Sequence, residues 1–172
     1  MSDQSDIAEI ECLYREHGPA LVLFASAIAG ESSRAQDVVQ QVFLKLIRDG
    51  SLKGVTEKRA YVFACVRNTM LNEVKGRWRG VSLDPGTAWF DPPLRDYAAE
   101  SNLRQSLVAL PEDQRQVVVL HVWGELTFSE IADVLNVSPN TAASRYRYAL
   151  AKLRDSMRGK AEAHAKGKGE IS

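Results

Sequence analysis

The residues with the clearest chemical potential lie near the C-terminus, on a predicted helix that begins at Pro139. Several of its side chains carry the amide, hydroxyl and guanidinium groups that read base edges in the major groove of DNA. These residues are Asn140, Thr141, Ser144 and Arg147. Three neighbours, Arg145, Tyr148 and Lys152, are placed to contact the flanking phosphates. The pattern therefore predicts a helix that binds double-stranded DNA.

The segment around this helix has the signals of a helix-turn-helix motif spanning roughly residues 127–157. Thr127 is placed to cap a short helix, and Asn136 lies where the turn needs a positive φ angle. Ser138 followed by Pro139 provides an N-cap and a first helical residue that needs no N–H donor. An ordinary helical hairpin with a basic face is the alternative. The agreement of caps, turn and polar face favours the DNA-binding motif.

Charge is distributed unevenly along the chain, although 22 basic and 22 acidic residues give a formal net charge of zero. Residues 58–79 carry a basic block offset only by Glu73, and residues 145–160 carry a second one offset only by Asp155. The intervening stretch from Asp84 to Asp133 is acidic. The chain therefore offers two separate positive surfaces, as expected of a protein that contacts nucleic acid in two places, and ordinary solvated helix faces are the alternative for either block alone.

Hydrophobic periodicity predicts helices throughout and no strand. The first runs over residues 9–28 with a kink or interruption at Gly18-Pro19, the second over 35–47 up to Gly50, and the third over 57–78 with Thr56 as its cap. We therefore expect an all-α fold of two small helical domains joined by a flexible linker. The domains cover residues 7–80 and 101–160, residues 81–100 form the linker, and residues 161–172 form a disordered tail.

Several function classes are disfavoured. The three histidines have no carboxylate or cysteine partner at catalytic or metal-binding spacing, so we expect no enzyme, no catalytic or metal site and no cofactor. Cys12 and Cys65 are both interpreted as buried hydrophobic residues. No apolar run is long enough for membrane insertion and the N-terminus lacks a secretion signal, which predicts a cytoplasmic protein.

Two groups of motifs resemble the extracytoplasmic-function (ECF) group of bacterial sigma factors, which hold only regions 2 and 4 of the sigma-70 family. The region 4 similarity lies in residues 110–118 (LPEDQRQVV), Glu130-Ile131-Ala132 and Ser144-Arg145. The region 2 similarity lies in residues 35–43 (AQDVVQQVF), Arg59-Ala60-Tyr61 and Arg67-Asn68. The resemblance implies a three- to four-helix bundle for region 2 and a four-helix domain with the helix-turn-helix for region 4.

The resemblance also implies a division of labour between promoter DNA and core RNA polymerase. Region 4 would read the minus-thirty-five element as duplex, and region 2 would dock on the β′ clamp helices and open the minus-ten element. The residues carried over as polymerase contacts are Asp37, Gln40 and Gln41. Single-strand capture would use Tyr61, Arg67, Asn68, Asn72, Lys75, Arg77, Trp78 and Arg79.

Further partners and rival functions follow from the same comparison. The polymerase β flap is the partner implied for region 4, and the resemblance allows for an anti-sigma factor. A plain operator-binding regulator would leave the region 2 motifs without a role. A sigma mimic that titrates an anti-sigma factor would have no need of the basic recognition face.

Overall fold

The computed structural model describes residues 4–29, 32–76 and 105–167. Within these ranges the chain is helical and contains no strand, which confirms the all-α prediction. Residues 105–108 are helical, and six helices have defined bounds: α1 (Gln4–Ala29), α2 (Ser32–Asp49), α3 (Lys58–Val74), α4 (Glu112–Val122), α5 (Phe128–Leu135) and α6 (Pro139–Gly167). We refer to α1–α3 as the N-terminal bundle and to residues 105–167 as the C-terminal domain.

The N-terminal bundle is built around three phenylalanines, one from each helix. Phe24, Phe43 and Phe63 are at most 2% exposed. The rings of Phe24 and Phe63 meet edge to face with centroids 5.8 Å apart, and Phe43 meets Tyr14 in the same way at 5.0 Å. Such contacts add to the free energy gained from apolar burial. These contacts pack α3 against α1 and α2.

Helices α1 and α3 differ from the sequence prediction, and α3 ends at Val74 rather than at residue 78. Helix α1 runs without interruption through Gly18 and Pro19, because buried residues on both sides, among them Ile10 and Leu21, hold it against the core. Helix α3 begins at Lys58 after Glu57, and no side chain caps it, so the capping role of Thr56 was wrong. The end of α2 at Gly50, with φ 61°, is confirmed.

The helix-turn-helix has the local geometry that the sequence predicts. The Thr127 hydroxyl accepts a hydrogen bond from the Glu130 amide at 3.2 Å, and the Glu130 carboxylate accepts one from the Thr127 amide at 2.8 Å. Asn136 ends α5 in the left-handed conformation with φ 56°. Ser138 caps α6 by accepting a hydrogen bond from the Thr141 amide at 3.1 Å. Each of these contacts satisfies a backbone group that a helix end leaves unpaired.

The C-terminal helix extends further than predicted. Helix α6 continues to Gly167, so the expectation of a disordered tail from residue 161 is wrong for residues 161–167. Alanine, lysine and glutamate dominate this stretch, and these residues have high helix propensity. All its side chains are exposed, so propensity rather than packing sustains the last two turns. Residues 168–172 lie outside the described part of the chain.

The two cysteines do not share one environment, and the expectation that both are buried was wrong for Cys12. Cys12 is exposed on α1, where its thiol donates a hydrogen bond to the Glu16 carboxylate at 3.5 Å. Cys65 is partly buried on α3, and burial raises the pKa of its thiol. Cys12 lies on the solvent-facing side of α1, because larger apolar residues determine which face of this helix is buried.

The N-terminal bundle and the C-terminal domain share one hydrophobic core in this structure. Helix α1 packs against α4, and α3 packs against α5. Four consecutive residues of α4, from Val117 to Leu120, are at most 2% exposed. Since successive residues point about 100° apart around a helix, these four cover the whole circumference. This turn of α4 is therefore buried on all sides, between its own domain and the bundle.

Candidate nucleic-acid interface

The first half of α6 presents the residues that the sequence assigned to duplex DNA. Asn140, Arg147, Tyr148 and Lys152 are exposed, whereas Thr141, Ser144 and Arg145 are partly buried. One guanidinium nitrogen of Arg147 donates to the Ser144 hydroxyl at 3.3 Å. The Thr141 hydroxyl lies 2.9 Å from the hydroxyl of Ser138. The structure thus places amide and guanidinium groups on the open side of the helix.

A stack of aromatic rings supports this helix from behind. The rings of His121 and Phe128 are parallel with centroids 4.6 Å apart, and both contact Tyr146 of α6, at 4.7 and 5.5 Å. His121 Nδ1 lies 2.9 Å from the Leu126 carbonyl oxygen, so this nitrogen carries the proton. The cluster joins α4, α5 and α6, and it helps to fix the angle at which α5 and α6 of the helix-turn-helix cross. Sequence reasoning missed His121, because rings from three separate helices give no local pattern.

Arg145 is held by an acidic residue from another helix. Its Nε lies 3.4 Å from the Asp113 carboxylate, in the first turn of α4. Both residues line an open cleft of about 350 Å³, whose other walls come from Arg67, Glu112, Gln116 and Leu135. Arg67 belongs to α3 of the N-terminal bundle. The cleft therefore brings together one basic residue from each set that the sequence assigned to DNA.

The residues assigned to single-stranded DNA fall on two sides of α3. Tyr61, Asn68, Asn72 and Lys75 are exposed, and their spacing of seven, four and three residues places them on one face. Arg67 lies on a different side, in line with Arg59 and Phe63, facing the C-terminal domain. Arg77, Trp78 and Arg79 lie outside the described residues. The exposed face combines one aromatic ring, two amides and one ammonium group.

The residues assigned to polymerase lie together on α2. Asp37 is exposed, and Gln40 and Gln41 are partly buried beside it. Leu44, one turn further along the same face, is 42% exposed. Sequence reasoning did not select Leu44, although its position outside the buried stripe of α2 was a usable signal. Its exposed apolar area adjoins the polar residues assigned to polymerase.

Other classes of site are not indicated by the described residues. Within residues 4–29, 32–76 and 105–167, no three histidine, cysteine or acidic side chains are grouped so that they could hold a metal ion. In the same ranges, no helix has the length and apolar character needed to cross a membrane.

The family comparisons identify both halves of the chain. Residues 13–80 match the family described as Sigma-70 region 2, and residues 100–153 match Sigma-70, region 4. The ECF RNA polymerase sigma factor SigL of Mycobacterium tuberculosis is 30% identical over 158 residues, which cover 87% of this chain and 89% of SigL. The RNA polymerase sigma-E factor of Streptomyces antibioticus is 28% identical, over 90% of this chain and 87% of its own length.

Solved structures show the same fold. The structure of CnrH in complex with the cytosolic domain of CnrY has a TM-score of 0.60 at 22% identity and covers 91% of this chain and 97% of that one. The sigma factor RpoE from Bartonella quintana, in complex with the anti-sigma factor NepR, has a TM-score of 0.59 at 21% identity. The match covers 81% of this chain and 91% of RpoE.

Two regions in the same order, matched by relatives along most of the chain, confirm the resemblance drawn from the sequence motifs. Such proteins carry out no catalysis themselves. The chain belongs to the ECF group of sigma-70 factors, and it directs promoter-specific initiation of transcription by binding core RNA polymerase and promoter DNA.

Proposed function

We propose that this sigma factor reads the minus-thirty-five element as duplex with the first half of α6. The observation that carries the proposal is the capped helix-turn-helix with Asn140 and Arg147 exposed at the start of its second helix. In this motif the N-terminal residues of the second helix meet base edges, and neighbouring residues fix the register on the phosphates. Asn140, Thr141, Ser144 and Arg147 are the proposed base contacts. Arg145, Tyr148 and Lys152 are the proposed phosphate contacts.

The exposed face of α3 is the proposed surface for the single-stranded minus-ten element. Tyr61 can stack on an unpaired base, and the amides of Asn68 and Asn72 can pair with an exposed base edge. Lys75 adds a positive charge for the backbone at the end of the helix. Arg67, Arg77, Trp78 and Arg79 complete the proposed set from the sequence.

The polar face of α2 is the proposed contact for the β′ clamp helices of core polymerase. Asp37, Gln40 and Gln41 supply charge and hydrogen bonds, and we add Leu44 because its exposed side chain offers apolar area beside them. Interfaces of this kind combine an apolar centre with a polar rim. The β flap of the polymerase is the proposed partner of the C-terminal domain.

The functional units are proposed to be region 2 over residues 7–80 and region 4 over residues 101–160. A protein that works on polymerase and chromosomal DNA acts in the cytoplasm, which is the proposed location. The sigma factor RpoE, which has the same fold, was solved in complex with the anti-sigma factor NepR. An anti-sigma factor is therefore a further proposed partner of this chain.

Reconstituted transcription tests the proposal. The purified chain and core polymerase should give run-off products from a subset of a promoter library. Asp37→Ala should lower the affinity for polymerase and leave the affinity of the full chain for duplex DNA unchanged. Asp133→Ala, another exposed aspartate, is the control. Binding to polymerase without any run-off product would contradict the proposal, as would a parallel loss of polymerase and DNA binding in Asp37→Ala.

A further inference from the structure

The start of α3 carries Tyr61, the ring proposed to stack on an unpaired base, but this end of the helix has no cap. Tyr61 lies in the first turn, and its amide donates to the Glu57 carbonyl oxygen at 3.0 Å. Glu57 precedes the helix with φ −100° and ψ 71°, and no side chain caps the turn. Helix ends without a cap are less stable and fray. The direction of the Tyr61 side chain therefore depends on contacts from elsewhere in the chain.

The loop between α2 and α3, residues 50–57, leads directly into this turn. Leu52 is 4% exposed and anchors the loop to the hydrophobic core. The Lys53 amide donates to the Gly50 carbonyl oxygen at 3.3 Å, and the Val55 amide donates to the Leu52 carbonyl oxygen at 3.2 Å. These bonds form two successive turns. The backbone therefore has a defined course up to Val55, just before α3 begins.

Asp6, in the first turn of α1, forms an ion pair with Lys53 of this loop. Lys53 Nζ lies 3.0 Å from Oδ2 of Asp6. That oxygen is buried, and within the described residues it has no hydrogen-bond partner. A buried carboxylate oxygen without such a bond is costly unless an opposite charge compensates it. The Lys53 ammonium group supplies that charge, so the ion pair fixes the loop to α1.

Glu9, one turn further along α1, forms an ion pair with the first residue of α3. The ammonium group of Lys58 donates a hydrogen bond to the Glu9 carboxylate. Residues three positions apart lie on the same side of a helix, so Asp6 and Glu9 both face the loop. Ile10 is 1% exposed and fixes this orientation, because it inserts into the core at the next position. Lys58 is in turn a surface neighbour of Tyr61, again three positions away.

Two carboxylates at this position are unfavourable for DNA binding as charges alone. They repel phosphates, and they neutralise lysines that could otherwise attract the strand. The side chains of Lys53 and Lys58 are 60% and 31% exposed, so a phosphate could reach both. The electrostatic cost is offset if the two ion pairs order the turn that carries Tyr61.

We propose that Asp6 and Glu9 are positioning residues for recognition of the minus-ten strand. By holding Lys53 and Lys58, they keep the first turn of α3 formed, with Tyr61 directed toward the unpaired base. Neither carboxylate contacts DNA. The inference rests on the proposed function of the exposed face of α3. The apparent Kd for the single strand then varies inversely with the fraction of molecules in which this turn is formed.

Holoenzyme assembled from core polymerase and the full chain tests this inference. Asp6→Asn combined with Glu9→Gln removes both ion pairs and keeps the shape of the side chains. The probe is a single-stranded oligonucleotide with the minus-ten sequence of a promoter that gives run-off product. Its affinity, measured by fluorescence anisotropy, should fall about fivefold in the double variant. The Kd of the variant for core polymerase should equal that of the wild type. A pure charge effect has the opposite sign, because the loss of two negative charges strengthens DNA binding.

Two further variants serve as rescue and control. Glu9→Lys alone should weaken single-strand binding, and combining it with Lys58→Glu restores an ion pair of opposite orientation and should recover most of the loss. Glu11→Gln combined with Glu16→Gln makes the same change in net charge as the double variant, on the same helix but away from Lys53 and Lys58. This control should not lose affinity for the single strand.

A double-mutant cycle with Tyr61 separates positioning from general stability. In a Tyr61→Ala background, removing both ion pairs should have no further effect, because the carboxylates act through the missing ring. An equal loss with and without Tyr61 would overturn the inference, as would unchanged or tighter single-strand binding in the double variant. A parallel loss of polymerase affinity would assign the ion pairs to overall folding and would also overturn it. Full single-strand binding by Tyr61→Ala would instead contradict the proposed function of α3, and this inference with it.

Discussion

The Asp113 carboxylate lies 3.4 Å from Nε of Arg145 and so connects the first turn of α4 to the recognition helix. A carboxylate at this distance competes with a DNA phosphate for the same guanidinium. Exposed ion pairs of this kind contribute about 0.5 kcal/mol to the free energy of folding, and salt weakens them further by screening.

Removing the charge of Asp113 should release Arg145 for DNA. We expect Asp113→Asn to raise the affinity for duplex DNA about twofold at low salt, as measured by fluorescence anisotropy. Asp133→Asn makes the same charge change on an exposed residue of α5 and controls for net charge. An equal gain in both variants would show that the ion pair has no specific role.

Arg147 and Lys152 should differ in what they contribute to DNA binding. If Arg147 reads a base, Arg147→Ala should cost ~1–3 kcal/mol of binding free energy on the preferred DNA sites and should relax the base preference at one position of the site. Lys152→Ala should weaken all duplexes alike and reduce the slope of log K against log salt by about 0.9. Selection from a randomised duplex pool, followed by salt titrations, measures both. An unchanged base preference in Arg147→Ala would remove this residue from the reading set.

The capping box at Thr127 should contribute to the stability of the C-terminal domain. Thr127→Ala removes the hydroxyl that accepts from the Glu130 amide and should cost about 1 kcal/mol. For a chain of this size, that corresponds to a fall of roughly 2–4 °C in Tm. Ser129→Ala, at an exposed position in the same helix, should leave Tm unchanged. Similar values of Tm for the two variants would contradict a stabilising role for the cap.

His17, which lies near Arg59, should make the free energy of unfolding of the protein depend on pH. Burial lowers the pKa of His17 below its ordinary value of 6.5, and the Arg59 charge adds to this, while Glu16 and Glu125 act in the opposite direction. The unfolded chain therefore binds the proton more readily than the folded one. The contribution of His17 to the free energy of unfolding is therefore fully present above about pH 6.5 and is lost as the pH falls below that value.

Urea unfolding at pH 7.5 and pH 5.5 measures this contribution. The loss of stability on acidification should be smaller in His17→Asn than in the wild type. His164→Asn, at an exposed position near the end of α6, should lose as much stability as the wild type. Parallel losses in all three proteins would assign the pH dependence to other groups.

The face of α3 illustrates the limit of prediction from periodicity. The repeat of apolar residues every four positions correctly indicated the helix, and Val62, Val66 and Met70 are buried, but Val74 at the end of the helix is 60% exposed. The repeat did not show that Arg67 lies on a different side of α3 from Asn68 and Asn72. The polar side of the helix is divided between the solvent and the C-terminal domain, and periodicity does not show where that division falls. The position of Arg67 in the cleft depends on packing between α3 and the C-terminal domain.

The sequence by itself determined the helix-turn-helix down to single residues, including Thr127, Asn136 and Ser138. Its caps and turn are hydrogen bonds and backbone angles within a few residues, so local residue types suffice to specify them. The family motifs likewise determined the two regions and their order. Only the tertiary structure decided that Arg59 meets Glu125, that Arg115 holds the end of α1, and that the central turn of α4 is buried on every side. These contacts join residues more than 60 positions apart, and long-range packing rather than any local pattern selects them.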